Sequence, residues 1–271
     1  MRNWKLTLAY DGTDWSGWQI QPGEPTIQGE LQSALGRVAG EAPLPQGSGR
    51  TDAGVHALGQ VASFVLEAPI PPDNLRRALN RTLPAAIRVL RAEEAPEGFH
   101  ARHSAVAKTY EYRVFQERAS GGETLCPPFL ARYVYPYPWL LELERLNEAA
   151  GHFVGTQDFL SFAATDPDAT ARAARGPAAG DETGPAAAIR TVFASGWEEQ
   201  HIGEGTLLVY RVRGNGFLHH MVRNLVGTML DVGRGSREAS DLPGMLAARS
   251  RAAAGPTAPA SGLFLHSVEY V

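Results

Sequence analysis

Apolar residues recur in this chain at two spacings, and the order in which those spacings follow one another limits the fold more than any other feature. Residues 4–10 (WKLTLAY) alternate with the period of two expected of a half-buried strand. Ile27, Leu31, Leu35 and Val38 instead stand at helical spacing, with Thr26 placed as N-cap and Gly40 ending the run. Strands are expected again at 61–66 (VASFVL) and 87–92. Between them Pro71-Pro72 introduces a short helix over 73–81, with Leu75, Ala78 and Leu79 facing inward. Residues 106–114 alternate once more, putting Val106, Tyr110, Tyr112 and Val114 on the buried side and Thr109, Glu111 and Arg113 on the other. A helix follows over 140–153, with Leu143, Leu146, Ala150 and Phe153 on one stripe, and then strands at 189–197 and 207–213. Residues 217–232 read as an apolar helix striped by Leu218, Met221, Leu225, Met229 and Val232, and a turn-rich stretch from 255 enters a last strand.

Strands and helices mix here without regular β-α-β alternation, which favours the α+β class over a doubly wound sheet. We expect two α/β-type subdomains with largely antiparallel sheets flanked by helices, over 1–105 and 106–271, with residues 108–113 crossing between them. Residues 163–188 are rich in Ala, Gly and Pro, lack an apolar period, and read as a surface insertion in the second.

One stretch stands apart from these periods. Residues 46–60 (QGSGRTDAGVHALGQ) pack four glycines, an Arg, an Asp and a His between two apolar runs. Such a connection bends sharply and brings polar groups within reach of a substrate, because glycine permits positive φ and close backbone approach. Asp52 is its candidate reactive group, with Arg50 two residues before; the alternative is a tight turn whose Asp bonds its own backbone. On a helical wheel Arg223 lies about 150° from the centre of its helix's main stripe, yet Val226 shares its side. A partnered Arg is therefore expected there.

Several chemistries are excluded. The glycine-rich stretch lacks the Gly-Lys-Ser/Thr of a phosphate-binding loop, and no G-x-G-x-x-G opens a helix after a strand. The G-x-S-x-G elbow is absent. Cys126 is the single cysteine, so no internal disulfide and no multi-thiolate metal site can form, and a zinc deaminase is ruled out. His219 and His220 would point about 100° apart on a helix, which is poor metal geometry. No metal and no cofactor are expected. No apolar run nears the roughly 20 residues that span a bilayer, and no signal-peptide pattern opens the chain, so we expect no membrane association and a cytoplasmic location. The net charge is −4, but residues 76–113 carry eight basic side chains against four acidic ones, with His100 and His103 in the same span. Only Lys5 and Lys108 are Lys; the rest are Arg, which suits phosphate. What remains is a carboxylate acting alone, attacking a sugar anomeric carbon or a similar electrophile.

Residues 49–57 (GRTDAGVHA) resemble the signature of the TruA family of tRNA pseudouridine synthases. Tyr10-Asp11-Gly12-Thr13 with Gly17-Trp18-Gln19 is similar to the family's opening, and Lys108-Thr109-Tyr110-Glu111-Tyr112-Arg113 to its central strand. Residues 217–224 (FLHHMVRN) and 255–259 (GPTAP) resemble its later motifs. The insertion at 163–188 is longer than that family leads one to expect. The resemblance implies the pseudouridine synthase fold, a homodimer with tRNA lying across it, and isomerisation of uridine at positions 38 to 40 of the anticodon stem-loop. It also implies Asp52 as nucleophile, Arg223 as its basic partner, Tyr110 on the target base, and Arg50 and His56 as further substrate-binding residues. Two alternatives stand beside it: an RNA-binding module without catalysis, and a glycosidase, which would need a second carboxylate close to Asp52.

Overall fold

Trp4, Leu6, Leu8 and Tyr10 are buried while Asn3, Lys5, Thr7 and Ala9 between them are half-buried, so the first alternating run is a strand with one covered face. The computed structural model describes residues 1–117, 125–164, 188–203 and 205–271. Among these the chain forms β1 (Arg2–Tyr10), α1 (Ile27–Ala39), β2 (Gln46–Gly47), β3 (His56–Leu66), α2 (Pro72–Thr82), β4 (Ile87–Glu94) and β5 (Ala105–Glu117). It continues with β6 (Tyr135–Pro136), α3 (Leu143–Gly151), β7 (Gly155–Asp158), β8 (Ile189–Ile202) and β9 (Gly205–Gly214). The last elements are α4 (Met221–Gly233), α5 (Leu242–Ala247) and β10 (Leu263–Tyr270). Mixed helices and mostly antiparallel strands make this an α+β protein. Among the described residues no helix is long and apolar enough to cross a membrane. The chain divides into two units, Met1–Thr109 with Leu263–Val271, and Tyr110–Gly262, the division falling inside β5.

In the first unit the strands lie in the order β4-β1-β3-β10. β1 runs antiparallel to β3 and β4, and β10 parallel to β3 with Phe264 beside His56. Ile27, Leu31, Ala34 and Leu35 of α1 and Leu75 and Leu79 of α2 are buried, whereas Val38 and Ala78 are only half-buried. The Thr26 hydroxyl accepts the Gly29 amide at 3.3 Å, a cap that contributes about 1 kcal/mol. β3 starts at His56, five residues before the expected run, and carries an extra residue: Gln60 lies opposite Leu8 but Ala57 opposite Tyr10. The bulge falls between Ala57 and Gln60; beyond it Gln60 and Val61 return to regular register opposite Leu8 and Thr7, and both are buried.

In the second unit the order is β5-β9-β8-β7, with β6 parallel to β5. β8 and β9 form a long antiparallel pair from Val192 opposite Gly214 to Ile202 opposite Gly205, longer at both strands than the sequence periods indicate. Trp197 packs 5.1 Å from Tyr210 and its N–H donates to the Met229 sulfur of α4 at 3.3 Å. Phe115, Val134, Leu207 and Val209 form a separate buried cluster.

Four sequence expectations are corrected. In β5 the alternation slips by one between Ala107 and Tyr110, so Val106 is exposed. Glu111, expected outside, is 3% exposed; its carboxylate accepts Arg113 Nε at 2.8 Å and Arg211 Nε at 2.9 Å, which compensates the buried charge. The helix expected over 217–232 begins only at Met221, because His220 sits at φ +57, a left-handed conformation that a helix cannot pass through. The helix expected over 140–153 spans Leu143–Gly151. Of the insertion at 163–188, all but residues 163, 164 and 188 lies outside the described residues.

Candidate functional site

Between β2 and β3 the chain reverses within a few residues. Asp52 to Val55 make a turn closed by the Val55 amide on the Asp52 carbonyl at 3.1 Å. Its third residue is Gly54 at φ +77, a conformation such a turn asks of Gly or Asn. Val55 is buried, Asp52 half-buried and Arg50 exposed. On the near side Trp18 donates its amide to the Thr51 carbonyl at 3.0 Å. Gly17 backs onto the same carbonyl so closely that a Cβ would lie 2.6 Å from it.

A buried polar cluster sits under this loop. Gln60, wholly buried, accepts the Ser48 hydroxyl at 2.7 Å and donates to the Gly49 carbonyl at 2.9 Å. The Tyr10 and Thr51 hydroxyls share a hydrogen bond of 2.8 Å, and Gln60 Nε2 lies 3.4 Å from the Tyr10 oxygen. Burial pushes the Tyr10 phenol up to about 12, against the pull of its Thr51 and Gln60 bonds; it stays protonated throughout the neutral range. Lys108 of β5 donates to the Ser48 carbonyl at 2.6 Å. The carbonyls of Ser48, Gly49 and Thr51 are thus each held by a different group, and they bracket Arg50 just before Asp52.

His56 is 1% exposed and stacks 4.7 Å from Phe264. Its Nδ1 accepts the Gly12 amide at 3.1 Å, which assigns the ring proton to Nε2. Asp11 Oδ1 lies 3.3 Å from the same nitrogen and also accepts the amide and hydroxyl of Thr13.

In the second unit Tyr110 is nearly buried, its ring edge-on to Phe217 at 5.1 Å. The His219 and His220 rings lie 4.0 Å apart. Both residues precede α4, so the helical-spacing argument against a shared ligand does not hold. Arg223, on the first turn of α4 and half-buried, is tied both ways to the 255–259 segment. Its Nε donates to the Ala258 carbonyl at 2.7 Å, and its own carbonyl accepts the Ala258 amide at 3.1 Å. Buried Asn224 donates to the Phe162 carbonyl at 2.7 Å and accepts the Thr257 hydroxyl at 2.6 Å. Tyr112 donates to the Pro259 carbonyl at 2.8 Å; burial raises its phenol, against the opposing charge of Arg223.

The sequence-derived residues thus fall into two sets, Arg50, Asp52 and His56 in the first unit and Tyr110 and Arg223 in the second. Sequence reasoning missed Gln60, Lys108 and Glu111. Gln60 and Lys108 left faint signals: a polar side chain opening an apolar run, and one of two lysines in an Arg-rich chain. Glu111 left none, because the second of its two partners, Arg211, is 100 residues away.

The sequence profile of the tRNA pseudouridine synthase family matches residues 7–104 and 149–271. tRNA pseudouridine synthase A of Solibacter usitatus is 50% identical over 271 residues, covering the whole of both chains. The protein of that name from Bacillus pumilus is 41% identical over 268 residues, 98% of each chain, and that from Caldicellulosiruptor bescii is 37% identical over 270 residues, 100% of each. A profile that matches most of each unit, and relatives aligned from end to end, give one result: the chain belongs to the tRNA pseudouridine synthase family.

Proposed function

We propose that this protein isomerises uridine to pseudouridine at positions 38, 39 and 40 of the tRNA anticodon stem-loop, with Asp52 as nucleophile. The observation that carries the reading is the bracing of the Asp52 loop. Three carbonyls around Arg50 are fixed before any substrate arrives, and a reacting group held in place in advance lowers the barrier without reorganising in the reaction.

The target nucleotide must leave the stack to be reached. The Asp52 carboxylate then bonds to the flipped uridine, at the sugar C1′ or at the base. The bond from N1 to C1′ breaks, the uracil turns, a bond from C5 to C1′ forms, and the bond to Asp52 breaks again, returning the free carboxylate. C5 gives up its proton and N1 gains one. Atoms and electrons balance within the nucleotide, so the overall change is an isomerisation and consumes no oxidant.

Tyr110 serves as the aromatic contact of the target base and Arg50 as a contact to the RNA backbone. Arg223 supplies a positive charge to the reaction. His56 is too buried to touch RNA, and we assign it a positioning role through the Gly12 amide. We further propose a homodimer acting in the cytoplasm; a monomer in sedimentation at micromolar concentration would count against the dimer.

The test is incubation with unmodified tRNA, followed by digestion and nucleoside analysis. Pseudouridine forms with the wild type, and Asp52→Asn, which keeps the shape and removes the nucleophile, lowers the rate by at least about a thousandfold. Full activity in that variant would leave the loop without a catalytic part. A wild type that binds tRNA but leaves its uridines intact would favour a binding module instead.

A further inference from the structure

Arg223 enters the reaction above as a positive charge, and a guanidinium serves there only if its fork keeps one direction. That direction is set by the 255–259 segment, which the second unit fixes residue by residue. The Gly255 amide donates to the Thr228 hydroxyl at 2.9 Å, and that hydroxyl donates on to the Asn224 carbonyl at 2.8 Å. Pro256 lies against Gly227 so closely that a Cβ there would run into its carbonyl. Ala258 is bonded to Arg223 through both its amide and its carbonyl, and the Pro259 carbonyl accepts the Tyr112 hydroxyl.

Thr257 stands among these points with an anchor of its own. Its hydroxyl donates to Asn224 Oδ1 at 2.6 Å and accepts Arg251 Nη2 at 3.0 Å, and the same Nη2 donates to Asn224 Oδ1 at 3.1 Å. Asn224, wholly buried, is locked at its other end, where Nδ2 donates to the Phe162 carbonyl at 2.7 Å. Three side chains thus close a triangle on the residue that follows Arg223. Arg251 reaches it from a short 3₁₀ turn (Arg251–Ala253) and is half-buried. Its bonds go to neutral oxygens, the third being the Ala254 carbonyl at 3.5 Å, and among the described residues no carboxylate pairs with it. A half-buried cation without a counter-charge gives up hydration for little Coulombic return, so this triangle is poorly explained as a device for stability.

Close packing of Pro256 on Gly227 keeps the segment against α4. The triangle adds control of rotation: it holds the chain just before Ala258, and Tyr112 holds it just after, so the carbonyl that takes Arg223 Nε is fixed from both sides. We propose that Thr257 and Arg251 are positioning residues for the isomerisation. With Asn224 they hold the Ala258 carbonyl in the direction that aims the Arg223 fork, and they touch neither the uridine nor the rest of the tRNA. This rests on the reading above, in which Arg223 supplies charge to the reaction.

Single-turnover rates at saturating tRNA and equilibrium tRNA binding, measured on the same proteins, test it. Thr257→Val keeps the shape and removes the hydroxyl; it should lower the rate about tenfold with affinity within about twofold, the pattern of an interaction made only in the transition state. Thr257→Ser restores the hydroxyl and should bring the rate back to within about twofold of wild type. Arg251→Met, which keeps the volume of the stem, should repeat the Thr257→Val pattern. In an Arg223→Met background, Thr257→Val should change the rate by less than about twofold, because residues that act through one group are not additive. A lowered unfolding midpoint with a normal rate in Thr257→Val makes the triangle structural only and overturns the proposal. A full tenfold loss on top of Arg223→Met does the same, as does weaker tRNA binding in Arg251→Met at an unchanged saturating rate. If wild type makes pseudouridine while Thr257→Val keeps its rate, only the triangle fails. If wild type makes none, the reading above fails before any variant is compared, and the proposal with it.

Discussion

Asp52 lies on a connection without regular structure, whereas Arg223 lies on the first turn of a buried helix, and the two stretches are held by different forces. The loop around Asp52 rests on one side against Gly17 at close range, but from below it is held by side-chain hydrogen bonds, from Gln60, Tyr10 and Lys108, each of which could be removed singly. The α4 turn is held by close approach: it exchanges backbone and side-chain bonds with Ala258, and a side chain on Gly227 would run into the Pro256 carbonyl. A polar scaffold of the first kind loosens by steps. A packed one of the second kind gives way at once.

The largest effect should come from Gly227→Ala. With backbone in the way, the helix and the 255–259 segment must separate, at a cost of roughly 3 kcal/mol or more. Thermal unfolding should show the midpoint lowered by about 6–12 °C, and a wild-type midpoint would show that the packing is slack. Gln60→Met should act more locally. It keeps the volume but leaves the Gly49 carbonyl and the Ser48 hydroxyl without their partner, and we expect turnover to fall roughly thirtyfold, about 2 kcal/mol. tRNA affinity should stay within about threefold, and hydrogen exchange over residues 46–55 should quicken. Normal turnover would mean that Asp52 does not depend on the buried cluster.

The smallest effect concerns Glu111. Burial would raise its carboxyl, but the hydrogen bonds and charges of Arg113 and Arg211 outweigh that and hold it below its ordinary value of 4.5. The unfolded chain therefore binds more protons in the window beneath that value. The stabilisation is complete above the unfolded pKa and is lost as pH falls through the folded one. In Glu111→Gln this dependence is absent, so the gap in unfolding midpoint between the two proteins should narrow on going from pH 6 to about pH 3.5. A gap that stays constant would show that the ion pairs do not stabilise the fold.

What the sequence makes legible follows from how local each cause is. The α1 boundaries are legible because cap, stripe and terminator lie within fifteen residues, at Thr26, Ile27 to Leu35 and Gly40. The start of α4 is not, because Leu218 and Met221 continue one stripe smoothly, and nothing in that spacing reveals the left-handed backbone of His220. The early start of β3 is hidden for a similar reason. A one-residue bulge against β1 between Ala57 and Gln60 breaks the alternation there, so the start of the strand does not look like one from its own residues. Asp52 is visible as a candidate from the glycines around it, but its support comes from Tyr10 and Lys108, distant in sequence and close only once the sheet has formed.

The placement of β10 has a consequence for the order in which the protein can be made. Residues 263–270 pair with β3 beside His56 and supply Phe264 and Tyr270 to the first unit, although they are synthesised after every residue of the second. Residues 110–262 form one continuous stretch, so on the ribosome the second unit has all its chain before the first does. During that interval the half that emerged first waits, its β3 still short of one neighbour, for a strand not yet translated.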